Sequence, residues 1–263
     1  MQAYDFTRGY TTGAVQTSLQ YGADAAGQGG WRTSGGSNTY FNIAADPVAG
    51  GTRGNGMSIE GSSSGGDRTA WTTDVHDNWG SRDAGSNTIY ATWDQDTTTY
   101  TSAAGTASKN RFGAVIQDST GTKILAGLYV EANTGYLYGV AYSTSGGATN
   151  NFTYNIMSEG VQVSLNRNAW QSLAITFNKS TGEVGFYYQT TPSTWGGSTV
   201  TGAAIGVDPN EFDLYQLSNS STTKGKAYYD NIVVSSGSGS FVPAPGAAAL
   251  LGVAGLIGAR RRR

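Results

Sequence analysis

Ala169-Trp170-Gln171-Ser172-Leu173-Ala174-Ile175-Thr176-Phe177-Asn178, then Lys179-Ser180-Thr181-Gly182, then Glu183-Val184-Gly185-Phe186-Tyr187-Tyr188, reads as two strands and the turn between them. The polar segment Leu165-Asn166-Arg167-Asn168 leads in as a loop, and the first strand opens on a tryptophan. Gly182 sits where a hairpin end needs positive φ, which glycine adopts without a steric penalty. A hairpin needs a sheet to join, and the rest of the chain supplies one.

Moving outward, short β-rich runs recur at 39–43, 56–60, 88–95, 111–118, 123–131, 137–142, 169–178, 183–189, 211–217 and 227–235. In the run 88–95, Ile89, Ala91 and Trp93 fall on one face and Tyr90, Thr92 and Asp94 on the other, the period of a half-buried strand. Ser119-Thr120-Gly121 and Asn133-Thr134-Gly135 are further turn signals. No long stretch between Tyr4 and Ser235 carries a helical period, and there is no clean internal repeat. Many short strands joined by tight turns predict an all-β fold, an antiparallel β-sandwich or a barrel. The expected organisation is a β-domain over residues 1–236, a Gly/Ser linker over 237–241 and a distinct tail over 242–263.

Composition agrees. The 263 residues include 39 glycines, and charged residues are only 13%. The 16 Tyr, 8 Phe and 6 Trp supply enough apolar surface for the body to fold rather than remain disordered. The formal charge of −2 conceals an acidic body: four of the 16 basic residues close the chain, and the other 12 face 18 acids, leaving −6. Such a body has no electrostatic footprint for nucleic acid or for anionic lipid. With no cysteine there is neither a disulfide nor a thiolate metal site.

The opening hairpin resembles the central hairpin of laminin-G-like domains in the concanavalin A-like lectin/glucanase superfamily. Ala227-Tyr228-Tyr229-Asp230-Asn231-Ile232-Val233-Val234 is similar to that superfamily's closing strand, and Gly27-Gln28-Gly29-Gly30-Trp31 to the opening of its bacterial surface members. The resemblance implies a jelly roll of two sheets, one of them bearing ligand. It also implies a structural Ca²⁺ held by an acid of the last strand and groups near the first, positions matched here by Asp230 and Asp5.

Catalytic signals are sparse. His76, the single histidine, lies in the polar stretch Trp71–Trp79, expected to be a loop. Asp74, His76 and Asp77 form only a weak metal-ligand pattern. Glucanases of the superfamily carry E-x-D-x-x-E on one strand; Glu211-Phe212-Asp213-Leu214-Tyr215-Gln216 approaches it but ends in Gln216, which cannot act as a general acid. Glu60 and Glu131 are isolated carboxylates. Binding fits better, because aromatic rings stack on the apolar faces of sugars while amides and acids bond the hydroxyls. Trp71, Asn78, Trp79 and Trp195 are the candidate ligand-binding residues, with Trp195 expected in a loop, and Trp93 and Trp170 are expected in the core.

The tail has three parts: Val242-Pro243-Ala244-Pro245, an apolar stretch over 247–259, and Arg260-Arg261-Arg262-Arg263. As a short hydrophobic helix, the apolar stretch would span about 20 Å, less than the roughly 30 Å hydrocarbon core. The order resembles the PEP-CTERM sorting signal, with Ala244 where the family has Glu. That resemblance implies export, transient membrane contact and processing by an exosortase-type transpeptidase. The start, Met1-Gln2-Ala3-Tyr4-Asp5-Phe6, does not read as a secretory signal, so the expectation is that the native leader precedes it. The combined expectation is an exported surface or matrix protein with a non-catalytic module for polysaccharide. The alternatives are a glycan-cleaving enzyme on the same fold and a purely structural matrix protein.

Overall fold

The computed structural model describes residues 2–4, 12–15, 28–48, 51, 53–63, 65–72, 74–99, 108–218 and 224–237. Asp5, the linker and the whole tail with Val242, Pro243, Pro245 and Arg260–Arg263 lie outside the described residues, as does the expected C-terminal helix.

In chain order the strands begin with β1 (Gln2–Tyr4), β2 (Gly13–Ala14), β3 (Arg32–Ser34), β4 (Phe41–Ala45), β5 (Asn55–Glu60) and β6 (Arg68–Thr72). A short helix, α1 (Asp74–Trp79), follows. Then come β7 (Thr88–Thr98), β8 (Arg111–Gln117), β9 (Ile124–Glu131), β10 (Leu137–Ser145), β11 (Ala148–Asn155), β12 (Met157–Ser158) and β13 (Val161–Gln162). The last are β14 (Trp170–Asn178), β15 (Glu183–Thr191), β16 (Thr194–Thr201), β17 (Glu211–Leu217) and β18 (Lys226–Gly237).

These strands form a jelly-roll sandwich. A nine-stranded sheet runs β16-β15-β14-β7-β18-β5-β4-β2, with β1 also paired to β18. A seven-stranded sheet runs β11-β10-β9-β8-β17-β6-β3, and β12 pairs β13 as a separate hairpin. The hairpin read first from the sequence is β14–β15, in antiparallel register from Leu173↔Tyr188 to Phe177↔Val184. Its turn closes as expected: Gly182 has φ of 72° and its N–H donates to the Asn178 carbonyl at 2.8 Å. Gly135 repeats the device after β9, with the same φ and a 2.8 Å bond to the Glu131 carbonyl.

Alternation decides what lies between the sheets. Ile89, Ala91 and Trp93 of β7 face inward, as predicted, with Leu173, Ile175 and Phe177 of β14 beside them. Phe212 and Leu214 of β17 face them from the other sheet, and the Trp93 and Phe212 rings meet edge to face at 6.3 Å. A polar thread crosses this core. Gln95 Oε1 accepts from the Trp93 indole at 3.0 Å, and Gln95 Nε2 donates to Thr97 Oγ1 at 2.7 Å and to the Phe112 carbonyl at 3.0 Å. Buried polar groups are tolerated when bonded in this way.

Three expectations require correction. Trp71–Trp79 is not one loop: it splits into the end of β6 and the helix α1, whose Val75 and Trp79 are both buried one helical turn apart. Trp195 lies in β16, not in a loop, because the Gly196-Gly197 pair sits within a paired edge strand. Trp170 is not in the core. It occupies an outward position of β14 opposite Asp96, and its ring lies over Gly56, which has no side chain to displace it.

A candidate glycan-binding face on the seven-stranded sheet

The residues of β17 alternate between two environments. Phe212, Leu214 and Gln216 point into the sandwich, and Glu211, Asp213 and Tyr215 point out. The strand that only approached the glucanase pattern is thereby explained: Gln216 is fully buried on the inner face, its Oε1 accepting from Ser62 N–H at 3.3 Å. Register then sets the neighbours of the outward residues. Asp213 has Trp71 of β6 on one side and Val115 of β8 on the other, and Trp71 pairs in turn with Arg32 of β3. Glu211 pairs with Gln117, and Tyr215 lies between Thr69 and Gly113.

The floor of this face is unusual for an outer surface. Val115, Tyr129 and Val140 are buried there as a cluster separate from the main core, with Ile124, Tyr215 and Leu217 packed against them. Tyr129 and Tyr215 meet edge to face at 6.0 Å. Gly113 and Gly127 raise no side chain between them, and a Cβ at Gly113 would strike the backbone of Leu128. Asp213 is 5% exposed. Its Oδ2 accepts from Gln117 Nε2 at 3.0 Å, while Oδ1 has no hydrogen-bond partner. Burial, with Glu211 adding to it, holds the Asp213 carboxyl well above the usual carboxylate range. Burial also raises Glu211, partly offset by Arg32, with Asp118 reinforcing the rise. Above this floor Trp71, Tyr215 and Tyr138 are all partly exposed. The arrangement offers flat apolar rings beside acid, amide and guanidinium groups, the combination that holds a sugar ring by stacking and by its hydroxyls.

Of the four binding residues expected from the sequence, only Trp71 belongs to this face. Trp79 is 6% exposed and engaged: its indole N–H donates to Asp208 Oδ1 at 2.6 Å and Arg82 lies 3.9 Å from its ring centre. Asn78 is exposed at the end of α1. These two residues help line a cleft of about 50 Å³ with Val75, Ile89 and Val234, far below the roughly 300 Å³ at which ligand pockets begin. Trp195 is partly exposed on the other sheet, opposite Gln189. Glu60 and Glu131, isolated in sequence, have partners in space: Lys224 at 2.7 Å and Arg111 at 3.7 Å. Arg32, Gln117 and Tyr138 were not singled out. For Gln117 the available signal was its outward parity in a run already read as a strand.

The outer face of the nine-stranded sheet gathers acids. Asp46 takes the Trp170 indole N–H at 3.0 Å, and Asp94 binds Arg53, Ser172 and Asn231. Asp230, expected to hold calcium, is 2% exposed and pairs across strands with Asp94. Among the described residues no three His, Asp or Glu side chains converge as a metal site.

No family model matches the chain, and no curated protein does. Solved structures do. One is described as "Cellulose induced protein, Cip1", at 14% identity and TM-score 0.53, over 89% of this chain and 97% of that one. Another is the carbohydrate esterase vb_24B_21 from the Shiga toxin-encoding bacteriophage phi24B, at 13% and 0.47, over 78% and 88%. The alginate lyase from Klebsiella pneumoniae matches at 12% and 0.46, over 75% and 84%. At these identities the first likeness is one of fold, and it extends over nearly the whole of both chains.

Proposed function

We propose that the protein is a non-catalytic polysaccharide-recognition module whose binding surface is the outer face of the seven-stranded sheet. One observation carries this: Trp71, partly exposed, lies directly beside the Asp213 position, with the Gln117–Asp213 bond in the floor next to it. The stacking ring and the hydroxyl-bonding groups are thus on adjacent strands, fixed by ladder register rather than by a loop. A protein of the same fold that is described as cellulose-induced supports the polysaccharide class.

The test is affinity electrophoresis of the full chain in gels carrying soluble polysaccharides, with Ca²⁺ or with chelator. Retardation that falls at least tenfold in Trp71→Ala is expected. Retardation indifferent to Trp71→Ala would move the site elsewhere. Loss of binding on chelation would show that a divalent cation supports the site, and Asp230→Asn would test whether Asp230 holds it.

A second reading, a glycan-cleaving enzyme, is favoured by Glu211 and Asp213 sharing one face of one strand, both with raised carboxyls. Release of reducing ends or unsaturated products from the same polysaccharides would establish it. The order Pro pair, apolar stretch and arginine block in 242–263 supports export and exosortase-type sorting of the module. Mass spectrometry of surface-extracted protein, showing whether 246–263 are removed, tests that part separately.

A further inference from the structure

The charges around the candidate face are not distributed at random. Three cations of the face, Arg32, Arg111 and Lys123, each lie near an acid. Arg32 lies close enough to Glu211 to lower that carboxyl. Arg111 has its Nε 3.7 Å from Glu131 Oε2, and its guanidinium is stacked 3.5 Å from the Tyr138 ring centre. Lys123 stands near Asp118, which it helps hold in the charged form, and over the Tyr142 ring at 5.5 Å. The acids near them include one more, Asp67, bonded by the Tyr215 hydroxyl at 3.0 Å and Ser218 N–H at 2.7 Å, so acids outnumber these cations without counting the buried Asp213.

A polysaccharide of uronic acids carries a carboxylate on every ring. Binding it calls for unmatched cations, best an arginine fork, and a surface with surplus acid repels it. A neutral chain needs only stacking faces and hydroxyl partners. The outward row Ser34–Thr69–Tyr215–Gly113–Tyr129–Tyr138–Asn155 offers these across seven strands, a run of about 29 Å at 4.8 Å per strand step. We infer that this face selects neutral polysaccharide and excludes polyuronates. The inference rests on the recognition role proposed above and names the substrate class of that same site.

The experiment sets hydroxyethyl cellulose and galactomannan against alginate and polygalacturonate. Wild type and Trp71→Ala are run as full chains in affinity gels at 20 and 200 mM NaCl. The expected result is retardation by at least one neutral polymer, changing less than twofold with salt and lost in Trp71→Ala, with no retardation by either polyuronate. Retardation by a polyuronate that weakens with salt would overturn the selectivity while leaving the recognition role standing. Neutral binding that survives Trp71→Ala would overturn the assignment to this face. No retardation by any of the four would overturn the role and the selectivity together.

Discussion

Asp96 is 1% exposed on an outward position of β7, flanked across the ladder by Trp170 and Tyr228. One of its oxygens, Oδ1, has no hydrogen-bond partner. Burial, and then the charge on Asp46, pushes its carboxyl up to about 6, against a backbone N–H bond from Ala169 that lowers it. The sign follows from linkage. Between about pH 4 and about pH 6 the folded state holds a proton that the unfolded chain has released, so stability falls as pH rises through that window. The loss has an upper bound of about 3 kcal/mol. Asp96→Asn keeps the shape and removes the titration. Its denaturant midpoint should match wild type near pH 4 and exceed it above pH 6. A constant difference across that range would show that Asp96 does not titrate there.

At the scale of elements, packing sets the tolerance of a strand. Gly139 of β10 faces the buried Phe186 of β15, whose ring carbons would stand 2.6–2.8 Å from an added Cβ. That ring is fully buried and also meets Tyr154, with ring centres 6.2 Å apart. Gly139→Ala should therefore cost about 1–3 kcal/mol, seen as a lower denaturant midpoint at unchanged slope. The same principle explains what was legible beforehand. The strand 88–95 declared itself because one face is buried and the other is not. The strand β11, Ala-Thr-Asn-Asn-Phe-Thr-Tyr-Asn, did not, because it is an edge strand exposed along much of both faces. The strand β16 was hidden for the same reason, with its two glycines reading as a turn. The site divides likewise. Glu211 and Asp213 were visible as an alternating pair on one strand. Arg32 and Gln117 join them only through pairing between strands distant in sequence, which no local pattern reports.

For the whole molecule, the arrangement of β18 matters most. It lies between β7 and β5 in the middle of the nine-stranded sheet, pairing Lys226–Tyr229 with β5 and Lys226–Gly237 with β7, while β1 adds to its later half. A chain ending at residue 225 leaves both neighbours with bare edges and uncovers the inward side chains Tyr229, Ile232 and Val234 would have met. Such a chain should show no cooperative thermal transition and no protease-resistant core; a resistant fragment spanning β4 to β17 would contradict this. The order of manufacture gives this placement a further meaning. A chain is made and passed through any pore from its N-terminus, so the keystone of the larger sheet is the last part of the domain to emerge. Until then β7 and β5 have no strand to join them, although pairings that do not involve β18 can already form. The larger sheet is thus timed by its own connectivity: its two parts stay apart until the final strand arrives between them.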